Sequence, residues 1–315
     1  MIDERLAEDP LNSPADALIV DSAEMVHPRV VAVANQKGGV GKTTTTVNLA
    51  ALFAERGYRV LVVDADPQGN ATSSFGVDKS GLDETLYDAM LDAERVSQLP
   101  IRDVRPGVNL LPATPDLAAV EVELVGRQAR EHALHRALAT LGVGHDVCLI
   151  DCPPSLGLLT VNALTAADDV LVPLQCEFLA LEGLGQLLST IELIRRGLNR
   201  DLRILGVVMT MYDARTRLSA HVVEEVRRHL PEELLATIVP RAIRLAEAPS
   251  YGQVISEYDP DSRGAVAYQQ LADEVLARLC LRSPETESAE PVEPEMIEMM
   301  DGGHGIHDGY GITTS

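Results

Sequence analysis

No stretch of this chain reaches the roughly 18 consecutive apolar residues that a membrane-spanning helix needs. The opening residues carry no basic-then-apolar signal-peptide pattern, so the expected location is the cytoplasm, with no membrane partner. Cysteine is sparse. Cys148, Cys152, Cys176 and Cys280 form no CxxC spacing, and reduced thiols are the simplest reading. Internal repeats are absent, which sets aside a solenoid.

Basic residues are in short supply as well, with 26 Lys and Arg against 48 Asp and Glu, a net charge of −22. That total argues against nucleic acid until its placement is read. Residues 1–29 carry −5 and residues 284–315 carry −8, which leaves −9 for 30–283. More than half of the imbalance therefore lies at the two ends, and phosphate binding depends on local cations.

What is present is a large apolar fraction, 46% of 315 residues, enough for one α/β domain of about 250 residues plus tails. Residues 1–28 read as a flexible acidic arm, 29–282 as the folded domain, and 283–315 as a disordered acidic tail rich in Pro, Glu, Met and Gly.

The domain is organised around residues 30–46, VVAVANQKGGVGKTTTT. A β-branched strand runs into a glycine-rich loop and then into an apolar helix expected from about Lys42 to Arg56. Glycines allow backbone N–H groups to approach a phosphate, the helix adds the positive end of its dipole, and Lys42 adds a full charge. Thr43 is placed to offer a hydroxyl to Mg²⁺. Gly38, Gly39, Val40, Gly41 and Thr44 complete the cradle. The general pattern wants Gly where Gln36 stands, and Lys37 is a second lysine that one nucleotide's cradle does not require.

Strands are expected at 59–64, 108–111, 146–151, 170–173, 204–211 and 237–240. Helical stretches between them include 180–198, 216–229 and 264–279. Continuous apolar strands separated by helices imply a mostly parallel, twisted α/β sheet of the P-loop NTPase type, with helices on both faces. Ligands then gather at the strands' carboxyl ends, where the P-loop, Asp64-Ala65-Asp66 and Asp151-Cys152-Pro153-Pro154 all fall. Asp151 ends an apolar strand where an acid has no packing reason to be, and fits a metal site reached through a bound water. A helix N-cap is the plainer alternative. Asp66 is the candidate for orienting an attacking water, with Asp64 behind it; two acids two residues apart on a strand share a face and call for a nearby cation.

Four motifs in order, KGGVGKTT, DADPQGNA, DCPPSLGLLTVNAL and RLAEAPSYG, resemble the ParA/Soj family of partition ATPases, within the deviant-Walker group that includes MinD. The likeness spans about 30–279. It implies ATP and Mg²⁺ as ligands and catalytic roles for Lys37, Lys42 and Asp66. Lys37 resembles the family's lysine that reaches across a two-fold interface to the partner's nucleotide, making an ATP-dependent sandwich homodimer. Asp151 matches the Walker-B position, and Met211, Pro240 and Arg241 match the adenine contacts, although the family often has Asn where Ala242 follows Pro240-Arg241. The resemblance also implies binding of double-stranded DNA without sequence preference, nucleoid association in the ATP state, and a ParB-like partner that stimulates hydrolysis during chromosome or plasmid partition. Arg215 and Arg244 match arginines that contact DNA.

The residues themselves add that 195–244 holds ten Arg against six acids, a local +4. A solvated helix face with pairs such as Glu224–Arg228 is the plainer account of that run. A MinD-like membrane ATPase would need a basic amphipathic C-terminal helix, an iron–sulfur carrier would need suitably placed cysteines, and a tyrosine kinase of the group would need a tyrosine cluster where Tyr310 stands alone. An ATP-gated scaffold positioning a cargo other than DNA is the remaining alternative, because the partner chooses the cargo.

Overall fold

The computed structural model describes residues 27–92, 101–177 and 180–281. The expected acidic tail lies outside the described residues, as does nearly all of the N-terminal arm.

The first strand, β1 (Arg29–Val33), leads through the glycine-rich loop into α1 (Lys42–Glu55). Strand β2 (Val60–Asp64) follows, then the short helices α2 (Asn70–Ser74) and α3 (Leu86–Leu91). Next come β3 (Arg102–Arg105), β4 (Val108–Leu111), α4 (Val120–Glu123), α5 (Ala133–Leu141) and β5 (Val147–Asp151). The second half runs α6 (Leu158–Ala166), β6 (Asp169–Gln175), α7 (Ala180–Gly197), β7 (Arg203–Tyr212) and α8 (Arg217–His229). It closes with β8 (Leu234–Pro240), α9 (Ile243–Glu247), α10 (Ile255–Tyr258) and α11 (Arg263–Leu279).

The strands form one sheet in the order β3-β4-β2-β5-β1-β6-β7-β8. Every neighbouring pair is parallel except β3 with β4. Because β1 sits between β5 and β6, the chain leaves it in one direction for β2 and returns on the other side for β6 to β8. Its carboxyl end is thus the switch point where doubly wound sheets bind ligands.

Residues of the same strand alternate between two cores. Val31, Val60, Val62, Val147 and Leu149 pack with α1 and α11 on one face. Ala32, Leu61, Val63, Cys148 and Ile150 pack with α3, α5, α6 and α7 on the other. Helices cover both sides, so the central strands β2, β5 and β6 are buried at every position.

The strand β3 was not expected. Its sequence RDVR is polar and only partly buried, as suits the one antiparallel strand at a sheet edge. Strand β6 is longer than the expected 170–173, since Asp169 and Gln175 are polar but buried, and β8 begins at Leu234, three residues before the expected 237–240.

Candidate nucleotide and metal site

The loop between β1 and α1 turns through two left-handed glycines, Gly39 at φ +73° and Gly41 at φ +93°. An added Cβ would meet nothing within 4 Å at either position, so glycine is required there by conformation. Gly41 is the N-cap of α1, which has no side-chain cap and no acid in its first turn. By contrast, α8 and α11 are capped by the hydroxyls of Thr216 and Ser262. The first N–H groups of α1 are left for a ligand, and the dipole favours an anion there.

The loop is anchored from below. Asn35 donates to the Pro173 carbonyl at 2.7 Å and accepts from the Lys37 N–H at 3.0 Å. Thr210 on β7 donates to the Val40 carbonyl at 2.8 Å, and Thr44 offers its carbonyl to Asn48 at 2.7 Å. Gly38 is exposed at the loop crest.

Lys42 is only 7% exposed, and its ammonium donates to the Lys37 carbonyl at 3.2 Å. Burial lowers its pKa, against the pull of Asp151 and Asp66. Thr43 Oγ1 donates to Asp151 Oδ2 at 2.7 Å, and Thr46 Oγ1 lies 3.4 Å from the other carboxylate oxygen. Asp151 stands in register with Asp64 on the adjacent strand, and both are fully buried. Burial raises both carboxyls, and each is raised further by a neighbouring acid, chiefly Asp64 in the case of Asp151. Thr72 partly offsets this at Asp64, donating from its N–H at 2.8 Å and its hydroxyl at 2.7 Å.

Asp66 does not share a strand face with Asp64, as the spacing had implied. Strand β2 ends at Asp64, and Asp66 begins a turn in which its side chain accepts from the Gln68 N–H at 2.9 Å. Its own N–H reaches back to Asp64 at 3.3 Å, which ties the turn to the strand end. Asp66 remains close enough to Lys42 and Asp151 to act on both electrostatically.

Three features escaped the sequence reading. Lys79 holds the Asp66 turn, donating to the carbonyls of Gln68 at 2.7 Å and Gly69 at 3.3 Å. Glu177 forms an ion pair with Lys37 at 2.6 Å. Thr72 is the partner of Asp64. One signal was available for the first two: the chain has only three lysines, Lys37, Lys42 and Lys79, and all lie at this rim.

The other expected residues fall farther along the sheet. Met211 adopts a left-handed conformation at φ +52°, and Tyr212 pairs with Pro240. The Arg241 N–H donates to the Tyr212 carbonyl at 3.0 Å. Tyr212 and Pro240 line a cavity of about 420 Å³ shared with Arg263 and Val266 of α11; Met211 and Arg241 do not line it. Arg215 and Arg244 follow the adjacent strands β7 and β8, at 87% and 56% side-chain exposure. Arg215 pairs with Asp213 at 2.7 Å, and Arg244 with Glu247 at 3.0 Å and Asp259 at 3.4 Å. On α8 the pairs are Glu224–Arg227 and Glu225–Arg228, one residue closer than the expected Glu224–Arg228. Much of the local positive charge is therefore matched by acids, several of them outside 195–244.

Cys148 and Cys152 are buried, and burial pushes both thiols up, which keeps them protonated. Among the described residues no helix is long and apolar enough to cross a membrane.

A switch-point site with a glycine loop, a buried lysine, and a hydroxyl on a strand-end aspartate defines a P-loop nucleotide-binding domain of the α/β class. Residues 28–204 match a family model described as an AAA domain. The chain is 51% identical over 249 residues to the sporulation initiation inhibitor protein Soj of Bacillus subtilis, covering 79% of this chain and 98% of that protein. It is 48% identical to the chromosome partitioning protein ParA of Myxococcus xanthus, covering 81% and 90%. Among solved structures, a Mycobacterium smegmatis protein named cobyrinic acid a,c-diamide synthase, with bound ADP and magnesium, matches at a TM-score of 0.68 and 45% identity, over 78% of this chain and 93% of that one. The chain belongs to the ParA/Soj family of partition ATPases.

Proposed function

We propose that this protein is a Mg²⁺-dependent ATPase that dimerises around ATP, binds double-stranded DNA without sequence preference, and drives chromosome or plasmid partition with a ParB-like partner. It acts in the cytoplasm and associates with the nucleoid in its ATP state. The folded unit is 29–282, flanked by acidic segments at 1–28 and 283–315.

The observation that carries the reading is the convergence of Lys42, Thr43, Asp66 and Asp151 at the β1 switch point, with Lys37 on the same loop. The donor set fits a magnesium nucleotide. Among the described residues the buried Lys42 has a single neutral oxygen as its hydrogen-bond acceptor, a poor match that a phosphate oxygen would improve. Asp64 and Asp151 are buried acids in register, and a divalent cation would relieve their repulsion. Among the described residues no group of three or more His, Cys, Asp or Glu is placed to hold a metal, consistent with Mg²⁺ held by one or two side chains plus phosphates and waters.

Thr43 and, through a water, Asp151 would hold the metal, which neutralises charge on the β and γ oxygens when bound. Lys42 and the amides of 38–44 cradle the phosphates. Asp66 orients the attacking water, with its turn steadied by Asp64 and Lys79. Met211, Pro240 and Arg241 contact the adenine. Lys37 serves the partner's nucleotide, so that hydrolysis releases the dimer. Turnover is slow alone, since a timer must stay assembled until its partner arrives. Arg215 and Arg244 exchange their acidic partners for DNA phosphates.

The test is ATPase turnover measured alone, with DNA, with the ParB-like protein, and with both. Stimulation requiring both together supports partition. Stimulation by a protein partner with no DNA contribution would move the reading to an ATP-gated scaffold for another cargo.

A further inference from the structure

Lys37 has a partner within its own protomer. Its Nζ lies 2.6 Å from Glu177 Oε2, two residues past the end of β6. Gln175 Nε2 donates to Glu177 Oε1 at 2.6 Å, so both carboxylate oxygens are engaged. The backbone beneath is fixed as well, because Asn35 bonds both the Lys37 N–H and the Pro173 carbonyl of β6. The lysine and its acceptor therefore sit on two segments that the fold holds together, rather than meeting by chance on loose loops.

The pair is also built to yield. The side chains are 33% and 47% exposed, and a pair this wet is weak enough for a stronger anion to displace. A fully buried pair would resist release. A triphosphate carries more charge than one carboxylate and offers several acceptor oxygens, so it wins once it is brought within reach.

We propose that Glu177 is a positioning residue that holds Lys37 on its own protomer until a second protomer's triphosphate takes the lysine over. This rests on the reading that Lys37 serves the partner's nucleotide. Glu177 then sets the threshold for dimerisation: the ion pair stabilises the separate protomer and is lost on pairing, so its strength subtracts from the dimer's. The same pairing keeps an unmatched ammonium off the loop crest while the protomer is alone.

The test uses the full chain with Mg²⁺ and a non-hydrolysable ATP analogue, and follows the dimer dissociation constant by analytical ultracentrifugation. Glu177→Gln should tighten the dimer by about two- to thirtyfold, since a symmetric dimer gives up two such partly exposed pairs. Glu177→Asp, which restores the charge, should return the constant toward wild type, and the gain should shrink at 0.5 M salt. An unchanged or weaker Glu177→Gln dimer overturns the holding role. So does an equal tightening of analogue binding by the isolated protomer, which would mean that the carboxylate acts on nucleotide charge and not through the lysine. Lys37→Ala separates the two readings. If that variant dimerises like wild type, the cross-interface lysine fails first; if it stays monomeric while Glu177→Gln changes nothing, only the holding role fails.

Discussion

Thr43 and Asp151, 108 residues apart in sequence, meet through a 2.7 Å hydrogen bond at the carboxyl ends of β1 and β5. The hydroxyl donates to a carboxylate flanked in register by Val33 on one side and by another buried acid, Asp64, on the other. Asp151→Asn keeps the shape and removes the charge that would hold a metal. We expect the variant to retain nucleotide binding without metal and to lose most of the Mg²⁺ enhancement of ATP affinity, with turnover down by about 100-fold or more. Titration calorimetry with and without EDTA checks the first part, and phosphate release the second.

Asp66 sits on a turn rather than a strand, tied down by Gln68, Asp64 and Lys79. Truncation to Ala should therefore leave the fold and ATP binding intact while turnover falls by about 100-fold or more. The variant should accumulate as an ATP-bound dimer in size-exclusion chromatography with light scattering. Wild-type turnover would remove Asp66 from the chemistry.

Arg215 and Arg244 are exposed and paired with Asp213 and with Glu247 and Asp259. Exposed pairs contribute little to stability, so Arg215→Ala with Arg244→Ala should leave the melting temperature nearly unchanged. DNA binding should fall. A dimer loses four cations, and at about 0.9 per phosphate contact the slope of log affinity against log salt should drop by roughly 3.6. Fluorescence anisotropy across a salt series reads both the loss and the slope.

His145 is buried at the foot of β5, with ring contacts to Asn109 Oδ1 at 2.9 Å and the Gly142 carbonyl at 3.2 Å. Burial lowers its pKa, and Arg59 adds to the effect, while the Gly142 bond and Asp146 oppose it. The unfolded chain therefore binds the proton more tightly. Stability is full above the unfolded value near 6.5, falls as the pH drops through it, and levels off below the lowered folded value. The slope cannot exceed about 1.4 kcal/mol per pH unit for one proton. Urea midpoints between pH 7.5 and 5 should fall less for His145→Gln than for wild type.

Much of the fold was legible because the central strands are buried on both faces. Runs such as VLVVD and VCLID admit no other reading once they alternate with helices. RDVR escaped because an edge strand needs neither apolar continuity nor helical cover. The shared face assigned to Asp64 and Asp66 was wrong because the period-2 rule stops applying where the strand stops, and the strand ends at Asp64, as its expected bounds already had it.

The sequence alone determined the loop, its two lysines, the hydroxyl that follows them, and the order of the parallel strands and their main helices, since these depend on local conformation and on the hydrophobic period. Only the tertiary structure decided which distant groups face one another. It brought Asp151 to Thr43 across 108 positions and Glu177 to Lys37 across 140. Such pairings follow from strand register and from what each side chain reaches once water is excluded, and neither is written in any one stretch of chain.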